Sequence, residues 1–379
     1  MRFFEKLNFN FLGLRKTAYA ISGALFLIGI IAAVTRGFQF GIDFKGGAEI
    51  VLQFEKPINI SDIRADVDNI GLGNLEVKTF GGETGVMIRT ELQLIPAEVY
   101  PQVIEAIEQE IEKLIPGVSR KIVDSSASSV TYAFDNSEDA NNIIDGLFAA
   151  GFQSGRVSEE PDNVEMLVSV GIADWIKENL RTKIPDNPFT VLKEDRVGPK
   201  IGAELKRDAV LAIFFALIAI LIYLGFRFKF IFAFGAVAAL FHDVLITLGL
   251  FAILYGLIPG LNLDIDLTIV AAFLTLIGYS INDTVVVFDR IRENLKIHKT
   301  RPLFEIINTS ISQTMSRTIL TGGTTLLTVL VLMIFGGEVL RAFAFTLFFG
   351  IIIGTYSSIF VASTLVYEYA TKYHKKVEF

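Results

Sequence analysis

The chain has 379 residues, 52% of them hydrophobic, no cysteine and a formal net charge of −7. A soluble chain is about 45–50% apolar even with glycine counted in, so the excess points to a membrane protein. The missing cysteine excludes disulfides, thiol catalysis and iron–sulfur chemistry, and no basic face with interleaved aromatic residues suggests nucleic-acid binding.

The apolar residues are gathered in long runs, Ala18–Val34 and then Ala209–Val366. Gly37 to Asp208 has the composition of soluble protein. Arg2, Lys6, Arg15 and Lys16 precede the first run, as they would in a signal peptide. The run exceeds the usual ~7–15-residue signal core, so it reads as an uncleaved helix.

Alternation predicts strands at Ala48–Phe54, Leu75–Phe80 and Gly85–Thr90, with helices at Ser61–Ile70 and Ala97–Leu114. A further strand near Lys121–Asp124 completes a ferredoxin-like order. The pattern then recurs, with strands at Ser129–Phe134, Gly155–Ser158 and Val164–Val170, helices at Glu138–Ala149 and Ala173–Thr182, and a closing strand at Phe189–Lys193. The expectation is two small α+β units in tandem. Val197-Gly198-Pro199 reads as a turn, followed by a short helical approach to the membrane.

A helix needs about 20 apolar residues to cross a bilayer. After the first run, the candidates are Ala209–Leu224, Phe230 to about Tyr255, Leu267–Phe288, Thr318–Phe335 and Leu340–Tyr367. The fold class is therefore an all-α bundle of six transmembrane helices plus an extracytoplasmic α+β domain. Its expected divisions are residues 1–36, 37–207, 208–370 and a tail at 371–379. Lys and Arg mark the cytoplasmic side. They fall at the N-terminus, at Arg227 and Lys229, between Arg290 and Arg301, and at Lys372, Lys375 and Lys376. Six spans put all of these on one side. Both termini are then cytoplasmic in the inner membrane, and the large domain is periplasmic.

Ionisable residues inside a bilayer are costly and usually mark pathways or relays. Asp283 is the sharpest candidate, in Gly278-Tyr279-Ser280-Ile281-Asn282-Asp283-Thr284. If its helix ends near Asp289, the carboxyl lies about 9 Å inside that end. Arg317 is expected at a similar depth on the next helix. Were those helices neighbours, the guanidinium could pair with Asp283 and compete with a proton for it. Asp243, preceded by His242, lies about 20 Å from the cytoplasmic end and reads as a second station in a polar path. The plain alternatives are a wetted helix end for Asp283, a headgroup anchor for Arg317 and a structural hydrogen bond for Asp243. Asp264 and Asp266 are expected to be solvated. No Walker A pattern or histidine–carboxylate cluster occurs, so neither a nucleotide, a metal nor another cofactor is expected, and the chain does not read as an enzyme.

Five stretches together resemble the SecD/SecF family of the resistance-nodulation-division superfamily. They are Gly41-Ile42-Asp43-Phe44-Lys45-Gly46-Gly47, Val197-Gly198-Pro199, Phe241-His242-Asp243, Ser280 through Glu293, and Ser312 to Thr325. The resemblance implies a half-unit that pairs with SecD beside the SecYEG channel, with YajC as a further partner. It implies use of the proton motive force to promote preprotein translocation. Asp283 and Arg317 would form the proton-coupling site, with Asp243 beside it and Asn282, Thr284 and His242 in support. Asp43, Gly46, Gly47, Gly198 and Pro199 match the family motifs. The large domain is longer than is typical of such half-units, and the second repeat, about Ser129–Val197, reads as an insertion or duplication. Two other readings compete: a half-size, proton-driven small-molecule exporter, and a purely structural assembly subunit.

Overall fold

A computed structural model describes residues 9–373, except Asn74, Ala127, Gly151, Glu159, Pro161, Asp162, Pro259 and Gly260. Arg2, Lys6, Lys375 and Lys376 of the charge argument lie outside the described residues. The chain forms two compact units, one of residues 44–203 and one of residues 1–43 with 204–379. The first helix, α1 (Arg15–Arg36), is followed by a single helical turn, α2 (Ile42–Lys45).

The α+β unit begins with β1 (Gly47–Phe54), α3 (Ile60–Asp68), β2 (Glu76–Thr79), β3 (Gly85–Thr90), α4 (Tyr100–Leu114) and β4 (Arg120–Ser126). The pattern repeats in β5 (Ser129–Phe134), α5 (Ser137–Ala150), β6 (Gln153–Arg156), β7 (Glu165–Ser169), α6 (Ile172–Lys183) and β8 (Phe189–Val197). Two four-stranded antiparallel sheets result, in the orders β2-β3-β1-β8 and β4-β5-β7-β6. Each has the strand order of a ferredoxin-like sheet, but the closing strands are exchanged. β4, expected to close the first repeat, pairs with β5, and β8 takes its place beside β1.

The expectation of two units in tandem is corrected accordingly, since neither repeat is complete without the other. The reason is local. β4 and β5 meet across the short turn at Ser126–Ser129, so their pairing closes a minimal loop. The edge of β1 is left for β8. The helices follow their strands: α6 packs on α3 and β1, and α4 on α5. Residues 129–197 are thus divided between both sheets.

One core runs through the unit. Ile50, Leu52 and Ile88 enter it from the first sheet and Val130, Tyr132 and Val168 from the second. On α4, Val103, Ile107 and Ile111 repeat every four residues and form one buried stripe. Trp175 of α6 donates from Nε1 to the Ile70 carbonyl at 3.1 Å, tying the second repeat to the end of α3. On the opposite face of the first sheet, Glu49 accepts from Arg89 Nη2 at 2.6 Å and from Lys193 Nζ at 3.0 Å. Burial works against the Lys193 charge, but Asp195 and Glu49 outweigh it and hold the ammonium above its usual range.

The helical unit holds α1 and α7 (Pro199–Arg227, which starts in the other unit), α8 (Phe230–Leu254), α9 (Leu267–Ile297), α10 (Leu303–Phe335), α11 (Gly337–Ser357) and α12 (Ser363–Lys372). A π-turn, Ser358–Ala362, joins the last two into one rod. Among the described residues, six segments are long and apolar enough to cross a membrane: Leu12–Arg36, Pro199–Arg227, Phe230–Leu254, Leu267–Ile297, Leu303–Phe335 and Leu340–Lys372. The turn at Gly198 leads into α7, which Pro199 opens, so the expected helical approach is the first part of the spanning helix itself.

α9 and α10 also extend past their expected limits, to Ile297 and back to Leu303. Polar contacts hold these extensions together, with Asn294 Nδ2 donating to Ser310 Oγ at 2.8 Å and to Gln313 Oε1 at 3.0 Å. α1 crosses α8 at Gly29 and Gly249, where a Cβ on either would stand 3.1 Å from the other's Cα.

Candidate functional site

Asp283 lies on the buried side of α9, 4% exposed. Its one side-chain hydrogen bond among the described residues comes from Thr355 Oγ1, at 3.5 Å, the outer limit of such a contact. It stands fourteen residues before the end of α9, and Arg317 fourteen residues after the start of α10. At about 1.5 Å per residue, both are about 21 Å from the adjoining ends of two packed helices. Asp283 is thus deeper from its helix end than the 9 Å expected, because α9 does not stop near Asp289.

Arg317 shares that level, yet its exposed side chain makes no ion pair with Asp283 among the described residues. Asn282 is exposed, whereas Thr284 is fully buried and donates to the Ser280 carbonyl at 3.4 Å.

Asp243 is more enclosed, 1% exposed. Its Oδ2 accepts from Ser280 Oγ of α9 at 2.7 Å and from Ser357 Oγ of α11 at 2.8 Å. Its Oδ1 lies 3.0 Å from His242 Nδ1. The other ring nitrogen, Nε2, meets Ser22 Oγ of α1 at 2.9 Å, and Ser22 Oγ meets Tyr356 Oη at 3.0 Å. Tyr356 Oη donates to the Ala18 carbonyl at 2.7 Å.

Gly354 makes room for this cluster. A Cβ there would stand 2.9 Å from Ser280 Oγ and 3.5 Å from Asp243 Oδ2. Thr355 and Ser357, two residues apart just before the π-turn, therefore reach Asp283 and Asp243 respectively. Such turns break the regular hydrogen-bond ladder and recur at functional positions.

The motif residues have structural roles. Asp43 Oδ2 accepts from the Leu267 amide at 2.9 Å, at the start of α9, and the Gly41 amide donates to the Ile265 carbonyl at 2.9 Å. Gly46 and Gly47 have φ of 78° and 127°, a region L side chains rarely enter. A Cβ on Gly46 would lie 2.9 Å from Pro199 Cα, and one on Gly47 2.1 Å from the Thr90 carbonyl oxygen. Gly198 has no such constraint, with its nearest neighbour at 3.9 Å. Asp264, expected to be solvated, is 5% exposed, and Asp266 caps α9 by accepting from the Ile269 amide at 2.9 Å. The chain folds this loop inward where Phe40 pairs with Ile265.

Sequence reasoning identified both carboxylates but not the hydroxyls around them. Ser22 and Tyr356 carry no charge and sit in apolar runs, where they resemble the small or aromatic residues of any packed helix. Nothing in the sequence shows that α1 and α11 both pass His242, which is what brings these two hydroxyls to it.

The profile of the C-terminal part of the protein export membrane protein SecD/SecF matches residues 176–372, and that of the SecD/SecF GG motif matches residues 31–58. The protein translocase subunit SecF of Rhodothermus marinus is 42% identical, over 97% of this chain and 95% of that one. SecF of Koribacter versatilis is 37% identical, over 97% and 93%. The crystal structure of SecDF, a translocon-associated membrane protein from Thermus thermophilus, superposes with a TM-score of 0.65 at 28% identity. That match covers 97% of this chain and 39% of that one, so the chain spans about two fifths of the solved protein.

Proposed function

The chain belongs to the SecD/SecF family of protein-export membrane proteins, and we propose that it serves as the SecF subunit, pairing with SecD beside SecYEG to draw preproteins across the inner membrane. Both termini lie in the cytoplasm on this reading and the α+β unit in the periplasm, in keeping with Arg227, Lys229, Arg290, Arg292 and Lys372 at one set of helix ends. Proton movement through Asp283 drives the cycle.

The observation that carries this reading is a buried carboxyl with a guanidinium at its own level but, among the described residues, no ion pair joining them. A lone charge in such a place costs several kcal/mol, while a paired one is tolerated. Loss of the proton from Asp283 and approach of Arg317 are therefore favourable together and unfavourable apart. The electrical gradient contributes about 2.3 kcal/mol per charge per 100 mV. Thr355 holds Asp283 only weakly, which leaves the carboxyl free to change partner.

The test is proton-gradient-dependent release of a preprotein from membrane vesicles containing SecD and either wild type, Asp283→Asn or Arg317→Met. Both variants are expected to accumulate normally and lose the gradient-dependent part. Wild-type release from both would end the proposal.

A further inference from the structure

We infer that His242 and Asp243 form a second proton-binding site, separate from Asp283, in which His242 Nε2 takes and releases the proton. The Ser22 hydroxyl turns to serve both states. The inference rests on the proton-coupling reading and adds a role for His242, Ser22 and Tyr356 within it.

The donors and acceptors around the His242 ring can be counted. Asp243 Oδ2 accepts two hydroxyl protons, from Ser280 and Ser357. These bonds suit a carboxylate, and Oδ1 then accepts from the His242 Nδ1–H at 3.0 Å. At the far end, Tyr356 Oη has one proton, which it can give to the Ala18 carbonyl at 2.7 Å or to Ser22 Oγ at 3.0 Å. Between Asp243 and Tyr356 stand Nε2 and Ser22 Oγ, 2.9 Å apart.

When Nε2 carries a proton, it donates to Ser22 Oγ, and the Ser22 proton points to Tyr356 Oη, 3.0 Å away. When Nε2 is bare, the Ser22 hydroxyl turns round and donates to it, and the Tyr356 hydroxyl turns from the Ala18 carbonyl to donate to Ser22 Oγ. No heavy atom moves, each contact from Nε2 to Tyr356 holds one proton in either state, and the Ala18 carbonyl keeps the hydrogen bond of its own helix. The cluster's charge changes from zero, imidazolium with carboxylate, to −1, a lone buried charge that the three hydrogen bonds to Asp243 must offset and that favours the proton's return. Buried polar networks with unmet partners are costly, and one that meets its needs in both charge states is suited to holding a mobile proton. The neutral imidazole must then carry its proton on Nδ1, because Asp243 claims it.

The neighbouring elements leave this assignment undisturbed. α9 brings Asp283, which bonds Thr355 rather than this cluster, and α11 brings Tyr356. The π-turn brings no titratable group. On α1 and α12, Arg15 pairs with Glu368 at 3.6 Å, about two turns from Ser22, and Tyr19, within a turn of Ser22, feels that pair rather than this cluster.

The experiment is nitrogen-15 NMR of the full chain with labelled histidine, in lipid bilayers, across a pH series. The chain has three histidines, and the resonances lost in His242→Gln identify this one. The expected result is a doubly protonated ring at low pH that gives way to a neutral ring protonated at Nδ1. Asp243→Asn should lose the Nδ1 preference, and Ser22→Ala the two-state change, with the fold checked by unaltered signals from His298. Asp283→Asn should leave the His242 change in place while removing gradient-dependent release. A ring that stays neutral and protonated at Nε2 throughout would overturn the inference. If Asp283→Asn still removes release in that event, the proton-coupling reading survives on its own.

Discussion

Replacing Arg89 by methionine should loosen the α+β unit without touching its apolar core. Arg89 reaches Glu49 Oε2 through Nε at 3.0 Å and Nη2 at 2.6 Å, and Glu49 is 4% exposed. In the variant, Glu49 keeps only Lys193, at 3.0 Å across the β1–β8 pairing. Removing one member of a buried pair costs about 3–5 kcal/mol, and the remaining lysine argues for the lower figure. With a urea dependence of about 2 kcal/mol per molar, the midpoint should fall by about 1.5 M. The chain's single tryptophan, Trp175, lies in this unit, so its fluorescence reports on the unit within the intact chain. The double variant Glu49→Leu with Arg89→Met leaves no buried charge alone and should recover most of the loss. A midpoint within about 0.3 M of wild type for Arg89→Met, or a double variant as unstable as the sum of its parts, would refute the reasoning.

Gly47→Ala should be at least as damaging, because its φ of 127° and the Thr90 oxygen 2.1 Å from the new Cβ together leave no room; the same fluorescence transition reads it. Cysteines at Gln53 and Thr190, register partners across β1 and β8, should oxidise to a bond seen as a gel shift after loop proteolysis, against a background free of native cysteine. A pairing of β4 with β1 would leave them unbonded. Ser357→Ala removes one of two hydroxyls on Asp243 Oδ2 and should slow gradient-driven release more than Thr371→Ala, whose hydroxyl serves only the Tyr367 carbonyl of its own helix.

Much of the fold was legible because its signals are local. Alternation in Ser129–Phe134 puts Val130, Tyr132 and Phe134 on one face, and the strand forms there. Strand partners are not local. β4 and β8 both read correctly as strands, yet nothing in either shows that their closeness in sequence would draw β4 to β5 and leave β1 to β8. The site divides the same way. Asp243 and Asp283 stand out by their charge in apolar runs, while Ser22 and Tyr356 gain meaning only from packing against His242. Asp283 stands farther from its helix end than the sequence suggests, because Arg290, Arg292 and Lys296 read as that end although a helix can continue beyond the apolar region on its own hydrogen bonds.

Proton entry into vesicles carrying the chain with SecD, followed by a pH-sensitive dye while a preprotein is drawn across, tests the coupling most directly. Wild type should acidify the lumen only with preprotein present, and Asp283→Asn should show no such entry at equal protein content. Undiminished, preprotein-dependent acidification by Asp283→Asn would mean that this carboxyl does not carry the driving proton.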